Sequence, residues 1–311
     1  MARVRVVSVG DAIVDIIMPP MAGLPSGDHQ GEVPEVALLP GGNATNFALQ
    51  TAALGADVTF IGCIGRDPLA VVLRRAYRDL RVRARLAVDP RRETGTTVAL
   101  TWSDGGRALL TSLGANAGLR ERHVAQRLPA KPDHLHRAGF WWTPGLSGSP
   151  TVRLLARARR VGTATSLDVS TDPRGWAKAR VDAVRVCLPH VDTFFGNEVE
   201  VGAIAGDTDA LDAANELCRL GVGEVVIHRG PRGATRVAGE RVDDSAGFHV
   251  PPENPTGCGD VFNAGYVFSR CTGADARQAL RFANACAALH LADRRRPYPS
   301  LTSVRRFLRR A

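Results

Sequence analysis

Lysine is nearly missing from this chain. Of its 40 basic residues only Lys131 and Lys178 are lysine, and the rest are arginine. The arginines lie scattered: Arg74 and Arg75, Arg91 and Arg92, Arg159 and Arg160, then a C-terminal group of Arg294 to Arg296, Arg305, Arg306, Arg309 and Arg310. A nucleic-acid surface concentrates its charge beside a recognisable module. No zinc-finger spacing, basic zipper or aromatic RNA-binding signature occurs. The net charge of +9 therefore reads as solvated surface, and no nucleic-acid partner is expected.

Other absences narrow the class further. The six cysteines form no C-x-x-C pair, which argues against a structural zinc site. No apolar run reaches about 18 residues, so no helix is expected to span a membrane. The opening residues lack a basic stretch followed by an apolar one, and a reducing cytoplasm is the expected compartment. Neither G-x-x-x-x-G-K-[ST] nor a post-strand G-x-G-x-x-G occurs, which removes support for P-loop NTPases and dinucleotide-binding dehydrogenases. There is no internal repeat and no low-complexity tract. What is present is 44% apolar residues over 311 positions, enough for a large core without disulfides.

Strand and helix patterns alternate along most of the chain. Strands are expected at Arg3–Gly10, Val58–Ile64, near His136–Trp142, Thr165–Val169, Val191–Phe195 and Glu224–His228. Helices are expected after Gly42 as far as Gly55, at Pro68–Leu80 with Asp67 as N-cap, and near Pro150–Val161, Glu198–Ala205, Thr208–Leu220, Gly259–Cys271 and Asp275–Ala292. Apolar strands alternating with helices predict a parallel α/β sheet covered on both faces. Two pieces break the rhythm. Pro19–Pro40 is Pro/Gly-rich and extended, and Thr94–Thr111 reads as a hairpin around Asp104-Gly105-Gly106. They are expected to form a small separate sheet.

The sharpest chemical segment is Thr256-Gly257-Cys258-Gly259-Asp260, where glycines lead straight into an apolar helix. Helix N-termini carry outward-pointing N–H groups and favour anions, and glycine lets the backbone come close. Asp260 in that cradle either takes a proton from a hydroxyl attacking a cradled phosphoryl group or stabilises the first helical turn. Gly41-Gly42-Asn43-Ala44-Thr45-Asn46 is a second glycine turn at a helix start, with side chains able to bind hydroxyls. Gly10-Asp11-Ala12-Ile13-Val14-Asp15 places carboxylates past the first strand, where ligands of open α/β sheets lie.

In this order and spacing, the three segments resemble the ribokinase-like (PfkB) sugar kinase family. Asn197-Glu198-Val199-Glu200 is similar to its N-x-x-E motif, and His228-Arg229-Gly230-Pro231-Arg232-Gly233-Ala234 to its nucleotide loop. The resemblance runs from Val4 to about Leu308. It implies a single three-layer α/β/α domain with a mostly parallel central sheet and a small β lid, near residues 16–40 and 94–112, often also used for dimerisation. It implies transfer of the ATP γ-phosphoryl group to a sugar hydroxymethyl, with Asp260 as general base and Gly257, Cys258 and Gly259 as anion hole. Asp15, Gly41, Gly42 and Asn46 match the sugar site. His228, Gly230, Arg232, Gly233, Asn197 and Asn284 match the nucleotide side. Glu200 and Asn197 match the pair that organises Mg²⁺, mainly through water.

Two departures stand out. Asn254 replaces an acidic residue that helps many members bind a monovalent cation, which speaks against a need for K⁺. Cys258 stands where alanine is usual: a helix N-terminus lowers a thiol's pKa, so an oxidation- or alkylation-sensitive site is one reading there, and a small packing residue is the other. Asp168 is expected to face the cleft. His134 and His136 share a strand face and read as structural in the absence of a third ligand. Trp141 or Trp142 is a candidate wall for a ligand. A nucleoside kinase of the same family and a non-catalytic sugar-binding regulator on the same fold are the competing readings.

Overall fold

The computed structural model describes residues 3–311 apart from 104, 105, 254, 295 and 296. Asn254, Arg295, Arg296 and the Asp104-Gly105 turn thus lie outside the described residues. The chain begins with β1 (Arg5–Val9), β2 (Ile13–Ile17), β3 (Ala37–Gly41), α1 (Asn43–Ala53), β4 (Asp57–Ile61), β5 (Cys63–Ile64), α2 (Leu69–Asp79), β6 (Arg83–Ala84), β7 (Ala87–Val88), β8 (Gly95–Thr101) and β9 (Arg107–Ser112). It continues with α3 (Glu121–Ala125), β10 (His134–Arg137), α4 (Ser149–Arg160), β11 (Ala164–Asp168), α5 (Lys178–Arg185), β12 (Thr193–Asn197), α6 (Glu198–Ala205), α7 (Ala210–Arg219) and β13 (Glu224–His228). The hairpin β14 (Ala234–Ala238) and β15 (Arg241–Ser245), then α8 (Cys258–Cys271), α9 (Ala276–Leu291) and α10 (Leu301–Leu308), complete it.

Nine strands form the central sheet in the order β15-β14-β13-β12-β11-β10-β1-β4-β6. Pairing is parallel from β6 to β13, and only the β14–β15 hairpin runs antiparallel at the end. Strand alternation sends neighbouring side chains to opposite faces. Phe60, Phe195 and Val226 join one apolar cluster with Phe47 and Tyr266, while Ile61, Phe194 and Val225 join another with Leu135 and Leu217. Helices cover both faces, giving the three layers. Among the described residues no helix is long and apolar enough to cross a membrane.

The second sheet has the order β3-β2-β8-β9; β3, β8 and β9 come from the two expected β-rich pieces, whereas β2, at Ile13–Ile17, precedes the first of them. Its register places Asp15 beside Thr97 and Thr97 beside Thr111, one row across three strands.

Several boundaries differ from the sequence reading. The strand expected near His136–Trp142 is β10, which ends at Arg137. Phe140 and Trp141 are buried by a folded loop instead, in which the Thr143 hydroxyl donates to the Gly139 carbonyl at 2.7 Å. Apolar content made that loop look like strand. The strand expected at Val191–Phe195 is shifted to β12 and carries Asn197 as its last residue. Helix α5 and the β14–β15 hairpin, both rich in charged residues, were not foreseen. Asp67 does cap α2: its carboxylate accepts from Leu69 N at 3.0 Å, and also from Thr94 N at 2.8 Å, tying the helix to the second sheet.

Candidate active site

A cleft of about 530 Å³ opens beyond the carboxyl ends of the parallel strands, walled on one side by the second sheet. It meets an apolar pocket of about 410 Å³, the two sharing His228, Gly230, Pro255, Cys258 and Gly259. The position follows from topology. The chain leaves β1 for β4 on one side and later returns to β10 on the other, and such a reversal of strand order opens a crevice. Asp168, Asn197 and His228 close β11, β12 and β13 at this rim.

Two helices point their N-termini at the cleft, and both start on a glycine with positive φ, 93° at Gly42 and 85° at Gly257. Only glycine adopts that conformation readily. Gly257 brings no side chain to cap α8, unlike Asp275 at α9 and Ser300 at α10, whose oxygens accept from their first turns. An anion is the natural partner of such an end. His290 braces the turn from behind, with its Nε2 2.7 Å from the Thr256 carbonyl and its Nδ1 2.5 Å from that of Pro297.

Asp260, buried in the first turn of α8, is held from α1. Asn46 Nδ2 donates to its Oδ2 at 2.9 Å and Asn43 Nδ2 to its Oδ1 at 3.1 Å. The Tyr298 hydroxyl donates to Asn46 Oδ1 at 2.9 Å and so fixes which end of that amide faces Asp260. Burial pushes the Asp260 carboxyl well above the usual carboxylate range, reinforced by the charge of Asp168 and opposed by the two amides. A carboxyl so raised is a stronger base once ionised.

Asp11, Asp15 and Asp168 line the same cleft and do different things. Asp11 is fully buried and spends its oxygens on Asn43 N at 3.0 Å and Ala44 N at 2.9 Å, capping α1 from the β1 loop. Although Asp11 lies where a ligand of an open α/β sheet would, its carboxylate holds the helix. Asp15, on β2, lies against Gly41, with burial and the charge of Asp11 pushing it up to about 7. Asp168 is also pushed up to about 7, by burial and by Glu200. Its oxygens accept from Asn263 Nδ2 at 2.6 Å and Ser170 N at 2.8 Å.

Raised acids have a defined effect on stability. In the unfolded chain Asp15 ionises at its ordinary value of 3.8, in the fold at about 7, so between those limits the folded state binds the extra proton. Stability contributed here is present at low pH and lost as pH rises through that window. Asp15→Asn should therefore gain about 2–4 °C in Tm relative to the parent at pH 8. At pH 4 it should gain nothing. Equal Tm differences at both pH values, read by thermal unfolding, would contradict the raised carboxyl.

At the start of α6 the N-x-x-E segment is a capping box. Glu200 N donates to Asn197 Oδ1, and Asn197 N to Glu200 Oε2, both at 2.9 Å. Thr171 donates to the other Glu200 oxygen at 2.8 Å. Each Glu200 oxygen keeps one lone pair, which suits it to hold cation-bound water rather than to ligate directly. No cluster of three or more His, Cys, Asp or Glu able to hold a metal occurs among the described residues. Gly230 and Gly233 line the apolar pocket with Phe248 and Val250, and Asn284 sits there with its amide donating to the carbonyls of Ser245 and Ala246. Arg232 does not line either pocket; its exposed guanidinium pairs with Glu198, as does that of Arg229.

Cys258 requires a correction. The helix end was expected to depress its thiol, yet burial pushes it up to about 12, against the lowering pull of Arg107. Desolvation thus disfavours the thiolate, which supports the packing reading of this half-buried residue. Trp142 lines the cleft, whereas Trp141 is buried and stacks on the Arg180 guanidinium 4.5 Å away. His134 and His136 both bond the Ser166 hydroxyl at 2.7 Å, a structural pairing.

Asn263 and Tyr298 were missed. Asn263 follows Asp260 by three residues on one helix face, a readable spacing. It links Asp168 to His228 Nε2, which lies 2.8 Å from its Oδ1. Tyr298 reaches Asn46 across 252 positions, and no local pattern signals that.

Comparison with known proteins finds relatives along nearly the whole chain. The chain is 26% identical over 313 aligned residues, covering 98% of both sequences, to an ATP-dependent ribose-1-phosphate kinase of Halopiger xanaduensis. In fold it matches an Arabidopsis thaliana ribokinase complexed with ribose and ATP, at TM-score 0.79 and 22% identity over 99% of each chain. It also matches an E. coli protein designated a candidate ribokinase II and bound to ATP and Mg²⁺, at TM-score 0.84 and 23% identity, covering 99% of this chain and 100% of that one. The pfkB family carbohydrate kinase model aligns with residues 4–295. With that span and this site, the chain belongs to the pfkB family of carbohydrate kinases.

Proposed function

We propose that this protein transfers the γ-phosphoryl group of ATP to a hydroxymethyl group of a sugar. The observation that carries the reading is Asp260, gripped by Asn43 and Asn46 beside a helix end built from Gly257 and Gly259. The acceptor lies between Asp15 and Asp260, with Gly41, Gly42 and Asn46 around it. Asp260 takes the hydroxyl proton while the oxygen bonds to the γ-phosphorus, and the bond from phosphorus to the β,γ-bridging oxygen breaks, releasing ADP. Backbone N–H groups from Gly257 to Gly259 receive the charge on the transferring group. The adenine occupies the apolar pocket near Asn284, with Gly230 and Gly233 beside the phosphates. Mg²⁺ neutralises phosphate charge when bound, with Glu200 and Asn197 holding its water. The second sheet acts as a lid that excludes water.

Trp142 on the cleft wall supports a second reading, a ribonucleoside acceptor whose base stacks there. The test is ADP release with Mg²⁺ and ATP over a panel of ribose, ribose 1-phosphate, fructose, ketodeoxy sugar acids, inositol and ribonucleosides. Turnover with a sugar is the expected result. Turnover with nucleosides alone selects the second reading. ATP binding without turnover of any acceptor refutes both and favours a non-catalytic sugar-binding regulator.

A further inference from the structure

Strand β9 presents alternate residues to the cleft: Arg107, Leu109 and Thr111 all line it. Thr111 lies in the row with Thr97 and Asp15, and its hydroxyl is 2.9 Å from that of Thr97. At about 3.3 Å per residue, Arg107 stands about 13 Å further along the strand, past the apolar step of Leu109. The strand thus offers hydroxyl, apolar and cationic contacts in succession. The cationic end lines the same cleft as Gly257, Cys258 and Gly259 at the start of α8.

Charge accounting gives this arginine weight. Asp11, Asp15, Asp168, Glu200 and Asp260 line the cleft, and Arg107 is the only Lys or Arg lining it among the described residues. Other arginines near the nucleotide side are engaged: Arg229 and Arg232 with Glu198, Arg236 with Glu224 and Asp243. Arg107 is exposed and makes no ion pair within the described residues. A polyanionic donor entering an acidic cleft needs a fixed positive group on the side opposite the helix end. A planar guanidinium can donate two parallel bonds to phosphoryl oxygens.

We propose that Arg107 is a further catalytic residue, closing over the transferring phosphoryl group from the second sheet and completing the anion hole that Gly257 to Gly259 begin. The proposal rests on the kinase reading above. Its test is steady-state kinetics of Arg107→Gln, Arg107→Lys and Arg107→Ala beside the parent, with the acceptor found by the panel. Because Arg107 is exposed, all three should fold as the parent does. Arg107→Gln should lose about 10²–10³-fold in kcat, the effect of deleting one donor to a developing oxyanion, with both KM values changed by less than about threefold. Arg107→Lys should keep part of the rate, and guanidinium ion should restore part of that of Arg107→Ala.

Unchanged kcat in Arg107→Gln with an active parent overturns this proposal alone. A loss confined to acceptor KM also overturns it, assigning Arg107 to an anionic group on the acceptor instead. A parent that phosphorylates nothing removes the kinase reading, and this proposal with it.

Discussion

Asp260→Asn is expected to fold like the parent and to turn over about 10²–10⁴-fold more slowly. The fold survives for a geometric reason. Asn46 is oriented by Tyr298, so its amide nitrogen continues to donate to the oxygen of the new amide. Asn43 is free of that constraint and can rotate its amide to accept from the new nitrogen. Burial already disfavours the ionised carboxyl, so a neutral isostere relieves a cost rather than adding one. Tm should therefore stay level or rise while kcat collapses. ATP binding, measured by calorimetry, should stay within about twofold. In the parent, kcat/KM should climb with pH on the acid side, since the raised Asp260 must lose its proton before it can accept one. Near-normal turnover of the variant would strip Asp260 of the base role.

The second large effect is on stability. Asp11→Ala should cost about 2–5 kcal/mol, because two N–H groups at the start of α1 lose the carboxylate that accepts from them. Arg137 is fully buried, and the nearby Asp11 carboxylate opposes the burial that lowers its pKa to about 10. Its nitrogens also bond Thr143 at 2.7 Å and the Ala138 carbonyl, but these are neutral acceptors. Without Asp11 the Asn43 and Ala44 N–H groups lose their acceptor, and Arg137 loses a favourable charge that acts on it without an ion-pair contact. A Tm drop of about 10 °C follows for a chain of this size. Asp11→Asn keeps an acceptor and should lose less. The double variant Asp11→Leu with Arg137→Met should be milder than the sum of the singles, because it leaves no charge stranded. Additive losses would show that the two groups do not interact.

Periodicity and punctuation carried most of the fold. Apolar strands such as Val225–Ile227 read as buried because they are covered on both faces. Gly42 and Gly257 announced their helices because a positive φ leaves few other choices of residue. Less legible were elements whose apolar side faces one neighbour only. Helix α5 buries just Val181 and Val184, and β15 buries nothing fully. The site was legible where its residues are sequence neighbours, as from Thr256 to Asp260. Contacts between distant segments stayed hidden, since nothing local to Asn43 names Asp260, 217 positions away. Burial energetics also escaped the sequence: the helix start points to a lowered Cys258 thiol, whereas the surroundings the fold gives it push that thiol up.

The place of β1 has a consequence for synthesis. On one edge it pairs with β4, which leaves the ribosome soon after it; on the other it pairs with β10, which emerges about 75 residues later. At about 5–20 residues per second, the nascent chain carries an apolar strand with an open edge for about 4–15 s. Such an edge is a template for pairing with other chains. Yield of this protein should therefore depend on holding chaperones during that interval more than on the stability of the finished fold. A fragment stopping before His134 should aggregate, although it contains the whole second sheet.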